Sequence, residues 1–215
     1  MARIVKKPEE RRREIIETAR DFFNERGHDS VTMQDIMERL GIAKGTIYHY
    51  FTSKEQLLEA VVEEITDAEF RRTRDFLEGD RCRGLPALEK LRLLLTEANM
   101  SAGNEGILES LHHPDNALMH SRELGRYLLK LAPLFEDVVR QGCAEGVFST
   151  EHPLEASEFI LAATQFLTDM GFYPWDGTDL ARRAAAFPAL LEAQLRAPKG
   201  SFDFLLPPPG SVPNA

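Results

Sequence analysis

The sequence has little cysteine and no long apolar run, and both absences exclude classes of function. Its 215 residues include two cysteines, Cys82 and Cys143, which lie far apart and outside any CxxC metal or redox motif. No apolar run approaches the ~20 residues that a membrane-spanning helix needs, and the N-terminal residues lack the apolar segment of a signal peptide. These absences predict a cytoplasmic protein, in a reducing compartment, without a membrane partner.

Signals of catalysis and of β-strands are also missing. No nucleophile stands beside a base in a recognisable motif, so we expect neither an enzyme nor a bound cofactor. Apolar/polar alternation never extends beyond three or four residues, and no internal repeat is present. Apolar residues recur instead at helical spacing, which predicts an all-α fold. Apart from two short helices between residues 32 and 51, the predicted helices cover about 9–26, 53–77, 86–102, 105–113, 117–144, 154–173 and 179–196.

Positive charge is scarce over the whole chain but not at its start. The formal net charge of −9 argues, taken alone, against a nucleic-acid partner. Residues 1–55, however, carry 11 Lys and Arg against 10 Asp and Glu, whereas residues 56–215 carry 15 against 25. A local basic surface is what phosphate binding requires, and the overall charge hides it. The run Arg11-Arg12-Arg13 by itself indicates only a solvated helix face balanced by neighbouring glutamates.

Two short helices are marked by strong local signals between residues 32 and 51. Thr32 and Asp35 form a Thr-x-x-Asp capping box, and Gly41 is placed to end the first short helix in a left-handed turn. A second short helix then covers 43–50. Two short helices joined by a glycine-containing turn predict a helix-turn-helix, whose second helix lies in the major groove of DNA.

The second short helix, KGTIYHY, carries more rings than one buried face accepts. Ile47 and Phe51 are four residues apart and share the inward face. Lys44, Tyr48 and His49 therefore point outward, and Thr46 and Tyr50 lie at the edges of that outward face. Tyrosine hydroxyls and lysine ammonium groups suit phosphates, while Thr, His and glycine backbone suit base edges or close approach. This pattern indicates DNA contact; the alternative is an aromatic-rich helix packed between domains.

The segment VTMQDIMERLGIAKGTIYHYFTSKEQLLEAVV resembles the DNA-binding segment of the TetR/AcrR family of bacterial transcriptional regulators. The resemblance extends over about fifty residues and includes the GIAKGTIY turn and helix, Phe51 and the SKEQLL opening of the next helix. Ala43 departs from the Ser that many members use as a helix N-cap, which forgoes about 0.5–2 kcal/mol. The DNA-facing residues that the resemblance implies are Thr32, Lys44, Gly45, Thr46, Tyr48, His49, Tyr50 and Lys54.

The resemblance also implies the domain organisation. We expect an N-terminal three-helix helix-turn-helix DNA-binding domain at 1–53 and a C-terminal helical ligand-binding and dimerisation domain at 54–197. A Pro/Gly-rich tail follows at 198–215 and cannot be α-helical. We expect the tail to dock onto the rest of the chain through its apolar residues Phe202, Phe204, Leu205 and Leu206.

The predicted helix 154–173 is apolar on two sides, one bearing Phe159 and Phe166 and the other Ile160 and Leu167. One side can pack within the subunit and the other against a second copy, with helix 179–196 as companion. The resemblance implies a four-helix dimer interface, and a two-fold dimer suits a palindromic operator. The alternative is a larger monomeric core. The predicted interface residues are Phe159, Ala163, Phe166, Ala184, Phe187 and Leu191.

The resemblance further implies a small-molecule effector that releases the regulator from its operator. The candidate effector-binding residues are His113, Asn116, His120, Phe166 and Met170. The first three would share one helical face, although Pro114 interrupts the helix there. The stretch LHHPDNALMH also offers His112, His113, Asp115 and His120 as metal-ligand types. Without a His-x-x-x-His pair it favours a corner in which Asp115 or Asn116 caps the next helix, and we predict no metal site.

These observations predict a ligand-responsive DNA-binding transcriptional regulator, a repressor that a small-molecule effector releases. Its expected partners are double-stranded DNA with a palindromic operator, the effector and a second copy of the chain. Two alternatives remain open. The first is a metal-binding enzyme or carrier, and the second is a DNA-binding partner of another protein that senses no ligand.

Overall fold

The computed structural model describes residues 6–97 and 103–206, all of whose regular elements are helical. The predicted all-α fold class is therefore confirmed. None of the helices within these ranges is long and apolar enough to cross a lipid bilayer. The helices are α1 (Pro8–Arg26), α2 (Met33–Leu40), α3 (Lys44–Tyr50), α4 (Lys54–Glu78), α5 (Ala87–Glu97), α6 (Glu105–Leu111), α7 (Ala117–Glu145), α8 (Pro153–Thr168) and α9 (Gly177–Leu195), with 3₁₀ turns at Pro114–Asn116 and Asp203–Leu205.

The helix-turn-helix forms where the local signals predict it. The Asp35 backbone N–H donates to the Thr32 hydroxyl, and the Thr32 backbone N–H donates to the Asp35 carboxylate at 2.8 Å, which completes the capping box. Gly41 ends α2 with a φ of 60°, a left-handed conformation that glycine adopts without steric cost. Ala43 precedes α3 without a side-chain cap, as its methyl group requires.

The chain divides into two compact units that do not follow the predicted boundary at residue 53. One unit is drawn from Met1–Asp67 and Met100–Glu123, and the other from Ala68–Asn99 and Leu124–Ala215. The division falls inside α4 because the first half of that helix packs into the same core as α1, α2 and α3. The division into a DNA-binding domain and a ligand-binding domain, which the resemblance implies, stays a prediction. The two compact units describe only how the chain packs.

The first unit has one continuous core, to which α6 contributes Ile107 and Leu111. Gly106 brings α6 against the end of α1, because a Cβ at this position would lie 2.8 Å from the backbone oxygen of Phe23. The Asn24 side chain donates to the backbone oxygen of Gly103 at 3.0 Å beside this contact. The segment from Gly103 to Gly106 is thus packed against the end of α1.

The second unit is built from the end of α4, α5, most of α7, α8 and α9, and Phe202, Phe204 and Leu205 contribute to its core. Phe202 is 0% exposed, and its ring stacks on that of Phe148 with centroids 6.3 Å apart. Phe204 and Leu205 also pack on this core, so the predicted docking is confirmed for these three residues. Leu206 is 44% exposed and does not dock, and residues 207–215 lie outside the described part.

Several predicted helix ends differ from the observed ones, each for a local reason. Helix α8 ends at Thr168 rather than 173, because the Asp169 carboxylate accepts from the backbone N–H groups of Gly171 and Phe172 and forms a turn. Helix α6 ends at Leu111, ahead of Pro114. The prediction for 86–102 covers α5, but residues 98–102 lie outside the described part.

Candidate nucleic-acid interface and effector cavity

Helix α3 has one anchored face and one free face. Ile47 is fully buried and Phe51, which follows the helix, is 2% exposed, so both fix α3 on the core of the first unit. On the opposite face Lys44, Gly45 and His49 are exposed. A short helix held from one side in this way presents its outer side chains in a fixed orientation, which sequence-specific contact requires.

The rings of α3 support one another on the outward face. The Lys44 ammonium lies 5.6 Å from the centroid of the Tyr48 ring, and Tyr48 is 39% exposed. His49 meets the edge of the Tyr50 ring with centroids 5.1 Å apart. Tyr50 is half-buried against the core, and Thr46 is half-buried too, as their predicted edge positions require. The face therefore combines one cation, a phenol and an imidazole.

Thr32 and Lys54, the two remaining predicted DNA contacts outside α3, both have structural partners. The Thr32 hydroxyl donates to the Asp35 carboxylate at 2.5 Å, and the hydrogen bonds from Thr32 lower the Asp35 pKa. The Lys54 ammonium donates to the backbone oxygens of His28 at 2.8 Å and Asp29 at 3.4 Å. Lys54 thus fastens the α1–α2 connection to the start of α4, a role that the sequence analysis did not anticipate.

His28 is a buried polar residue that the sequence analysis missed. It is 6% exposed and its ring packs edge-on against Phe23, with centroids 5.1 Å apart. Burial, followed by the nearby Lys54 charge, lowers the His28 pKa. Its Nε2 atom is buried and makes no hydrogen bond within the described residues. Histidine 28 is therefore neutral in the folded chain at neutral pH.

The basic residues at the start of α1 are partly neutralised by acidic neighbours. Lys6 and Arg11 both pair with Glu14 at 2.5 Å. The Arg12 guanidinium instead lies 5.4 Å from the centroid of the Phe51 ring. Arg12 is therefore the member of the predicted basic run that stacks beside α3.

The histidine-rich stretch forms a helix corner in the first unit. The His113 ring nitrogen accepts from the Asp115 backbone N–H at 3.3 Å, and the Asn116 amide donates to the backbone oxygen of Ser110 at 2.7 Å. His120 is buried, with its ring 5.0 Å from that of His112. His113 rather than Asp115 or Asn116 provides the cap, because Pro114 starts a 3₁₀ turn. These residues stabilise a corner, and their predicted effector role stays a prediction.

The second unit contains a cavity of about 180 Å³ between α7 and α8. Phe166, one of the predicted effector residues, lines it; Met170 is not among its lining residues and is 58% exposed. Tyr127 lines it as well, and burial together with the nearby Glu69 raises the pKa of this phenol to about 12. The full lining is Leu124, Gly125, Tyr127, Leu128, Leu161, Ala162, Gln165 and Phe166.

The side chains of the predicted dimer residues differ in their solvent exposure in the single chain. Phe159 and Phe166 on α8 are 63% and 43% exposed, and Ala184 on α9 is exposed too. Ala163 is half-buried, and Phe187 is half-buried against the core of its own unit. Leu191 is 3% exposed within that core, so its side chain cannot reach a second copy. Leu190, one position earlier, is 61% exposed.

Two sequence models of one protein family match this chain. The model of bacterial regulatory proteins, tetR family, matches residues 15–61, which extend from within α1 to about the first third of α4. A tetracyclin repressor-like C-terminal domain model matches residues 99–190. The first match contains the helix-turn-helix described above, and the second contains α6, α7, α8 and most of α9.

Similar proteins of known description are regulators. The transcriptional repressor KstR2 of Mycobacterium tuberculosis H37Rv is 27% identical over 152 residues, which cover 69% of this chain and 74% of that protein. The transcriptional regulator UidR of Escherichia coli K12 is 37% identical over 68 residues, or 32% of this chain and 35% of UidR. The crystal structure of a TetR-family regulator from Pectobacterium atrosepticum shares the fold, with a TM-score of 0.65 and 23% identity over 89% of this chain and 97% of that one.

Proposed function

The chain belongs to the TetR family of bacterial regulatory proteins, and we propose that it represses transcription by binding a palindromic operator as a homodimer, from which a small-molecule effector releases it. It is a ligand-responsive DNA-binding regulator, as the family and its curated relatives indicate. The observation that carries the proposal is the outward face of α3, where Lys44 and Tyr48 are exposed on a helix anchored by Ile47. Since these relatives are regulators, a metal-binding enzyme or carrier is not favoured.

DNA binding is tested by salt dependence. Wild-type protein first selects its preferred sequence from a random duplex library, and binding to that duplex is then followed by fluorescence anisotropy between about 50 and 200 mM salt. Lys44→Met should lower the slope of log affinity against log salt by about one per subunit, because one phosphate contact is lost. Tyr48→Phe should weaken binding without changing that slope. Lys199→Ala, an exposed change far along the sequence, is the matched control.

An unchanged slope in the Lys44→Met protein would remove Lys44 from the phosphate contacts. Failure of the wild-type protein to enrich any duplex would overturn the operator proposal itself. Enrichment of a sequence without two-fold symmetry would argue against a symmetric dimer on DNA, since a two-fold dimer reads two equivalent half-sites.

The proposed dimer uses the outer faces of α8 and α9. Phe159, Phe166 and Leu190 are large apolar side chains that the single chain leaves exposed. Large apolar side chains left exposed on consecutive helices are typical of interaction surfaces, and a two-fold axis would pair each face with its copy. Leu190→Glu should yield folded monomers, because a carboxylate would be desolvated in the interface. Leu191→Glu, by contrast, should unfold the protein, since Leu191 belongs to the core of the subunit.

Sedimentation velocity and circular dichroism separate these outcomes. A Leu190→Glu protein that stays dimeric would move the interface away from this face of α9. We also propose that the protein acts in the cytoplasm and is not an enzyme, which is consistent with the regulators among its relatives.

A further inference from the structure

Gly125 lies within the 29-residue helix α7 at a position where neither turn geometry nor packing calls for glycine. Its φ is not in the left-handed region, and a Cβ built there meets no atom within 4 Å. Glycine weakens a helix relative to alanine because it gains conformational freedom on unfolding. A side chain at this position would therefore enter open space, and Gly125 is one of the residues that line the α7–α8 cavity.

The cavity has the size of a small ring compound. Its volume is about 180 Å³, and an apolar cavity of ~150 Å³ in another protein is large enough to bind benzene. Leu124, Leu128 and Leu161 are among the apolar residues that line it. The opening lies beside Gly125, Ala162 and Phe166, all of which are exposed.

Two residues of the lining carry polar side-chain groups that can form hydrogen bonds. They are Tyr127, through its phenol, and Gln165, through its amide. The Tyr127 phenol stays protonated at neutral pH because burial and Glu69 raise its pKa to about 12, so it is available as a donor. No charged residue lines the cavity, and the Glu69 carboxylate near Tyr127 disfavours an anionic guest.

We propose that the α7–α8 cavity is the effector site and that its ligand is a small neutral ring compound bearing one carbonyl-type acceptor, which lies over Gly125 and accepts a hydrogen bond from Tyr127. The cavity and its ligand class are inferred from the lining residues, whereas the ligand's role as an effector rests on the proposed function. A side chain from a second copy fits less well. Phe159 and Leu190, two large exposed side chains of the proposed dimer face, carry no acceptor for the Tyr127 phenol.

Three probes of similar size test the ligand class. Acetophenone carries the acceptor, ethylbenzene lacks it, and benzoate adds a negative charge. Binding to the full chain is measured by ligand-detected NMR, and thermal unfolding is followed in parallel. Acetophenone should bind more tightly than ethylbenzene by roughly tenfold, the equivalent of one hydrogen bond, and benzoate should not bind.

Variants of two lining residues locate the site. Gly125→Leu should fill the cavity and abolish acetophenone binding, while Gly125→Ala adds one methyl group and should retain it. Both variants are expected to fold, because the Cβ meets open space and either residue favours the helix over glycine. Tyr127→Phe should make acetophenone and ethylbenzene bind equally. Circular dichroism melting of each variant shows that a loss of binding is not a loss of fold.

Equal acetophenone binding by wild-type and Gly125→Leu proteins would overturn the assignment of the cavity. A preference for ethylbenzene over acetophenone would overturn the proposed ligand class. If the Gly125→Leu protein were monomeric, a side chain of the second copy, rather than a ligand, would occupy the α7–α8 cavity. The effector role is read separately, as release of the selected duplex by acetophenone in wild-type but not in Gly125→Leu protein. Binding without release would refute that role, whereas failure to bind any duplex would refute the proposed function and leave the cavity assignment standing.

Discussion

Lys54 at the start of α4 allows a direct test of whether a basic residue in this segment holds DNA or holds the fold. Its ammonium donates to the backbone oxygens of His28 at 2.8 Å and Asp29 at 3.4 Å. Lys54→Met keeps the aliphatic stem and removes both hydrogen bonds. If the ammonium is engaged by these carbonyls, its loss should reduce stability and leave the salt dependence of DNA binding unchanged.

The expected loss of unfolding free energy in Lys54→Met protein follows from the geometry of the two hydrogen bonds. A hydrogen bond from a charged donor contributes about 1.5–3 kcal/mol. Lys54 is half-buried and its second contact is long, so we expect the lower end, about 1.5 kcal/mol. For a chain of this size that corresponds to a fall in Tm of ~3–6 °C. The comparison needs a fixed protein concentration, because dimerisation would make Tm depend on it.

Lys44→Met is the matched control, since Lys44 is exposed and lies over Tyr48. It should show the opposite pattern, with unfolding free energy within ~0.5 kcal/mol of wild type and a salt slope lowered by about one per subunit. Urea unfolding and anisotropy titrations on both variants complete the test. A Lys54→Met protein with unchanged stability and a lowered salt slope would refute the structural role and restore Lys54 as a phosphate contact.

Three further predictions concern stability. The His28 pKa is lowered from its ordinary value of 6.5, so below about pH 6.5 the unfolded chain binds a proton that the folded chain does not, and the free energy of unfolding falls. In His28→Phe protein the free energy of unfolding, measured with urea, should therefore depend less on pH between pH 7 and 5. An unchanged pH dependence would argue against this role of His28. Arg196 ends α9 with a φ of 50°, so Arg196→Gly should raise stability by about 0.5–1 kcal/mol, whereas the helical control Arg182→Gly should lower it. Phe202→Ala should cost about 3–5 kcal/mol in urea unfolding and Leu206→Ala less than ~1 kcal/mol, and equal effects would contradict the docking of Phe202.

The parts of the fold that the sequence predicts well are those set by neighbouring residues. Thr32, Asp35 and Gly41 determine the ends of α2 through contacts within a few positions, so their roles are readable before any packing is known. The partners of Lys54 are different. They are backbone oxygens 25 and 26 residues away, and a backbone carbonyl carries no residue-type signal. Tertiary structure alone identifies that contact.

The outer face of α9 shows a second limit of prediction from sequence, which arises because two adjacent residues are equally apolar. Leu190 and Leu191 are adjacent, equally apolar and about 100° apart around the helix. Periodicity marks both as apolar and cannot decide which one faces the subunit core, because α9 has apolar residues on more than one side. Packing against the second unit decides it, burying Leu191 and exposing Leu190.

Gly125 extends this reasoning to the effector site. The sequence predicts a helix over 117–144 that continues through Gly125, but only the structure shows that Gly125 lies beside an empty volume. The polar residues His113 and Asn116, which attract attention in the sequence, are used within the chain as a cap and a tether. Recognition of a ligand needs polar groups beside open volume, and Tyr127 and Gln165 are the hydrogen-bonding side chains among the residues that line the cavity. An effector site is therefore better sought among the polar residues of a cavity wall than among the residues most often associated with chemistry.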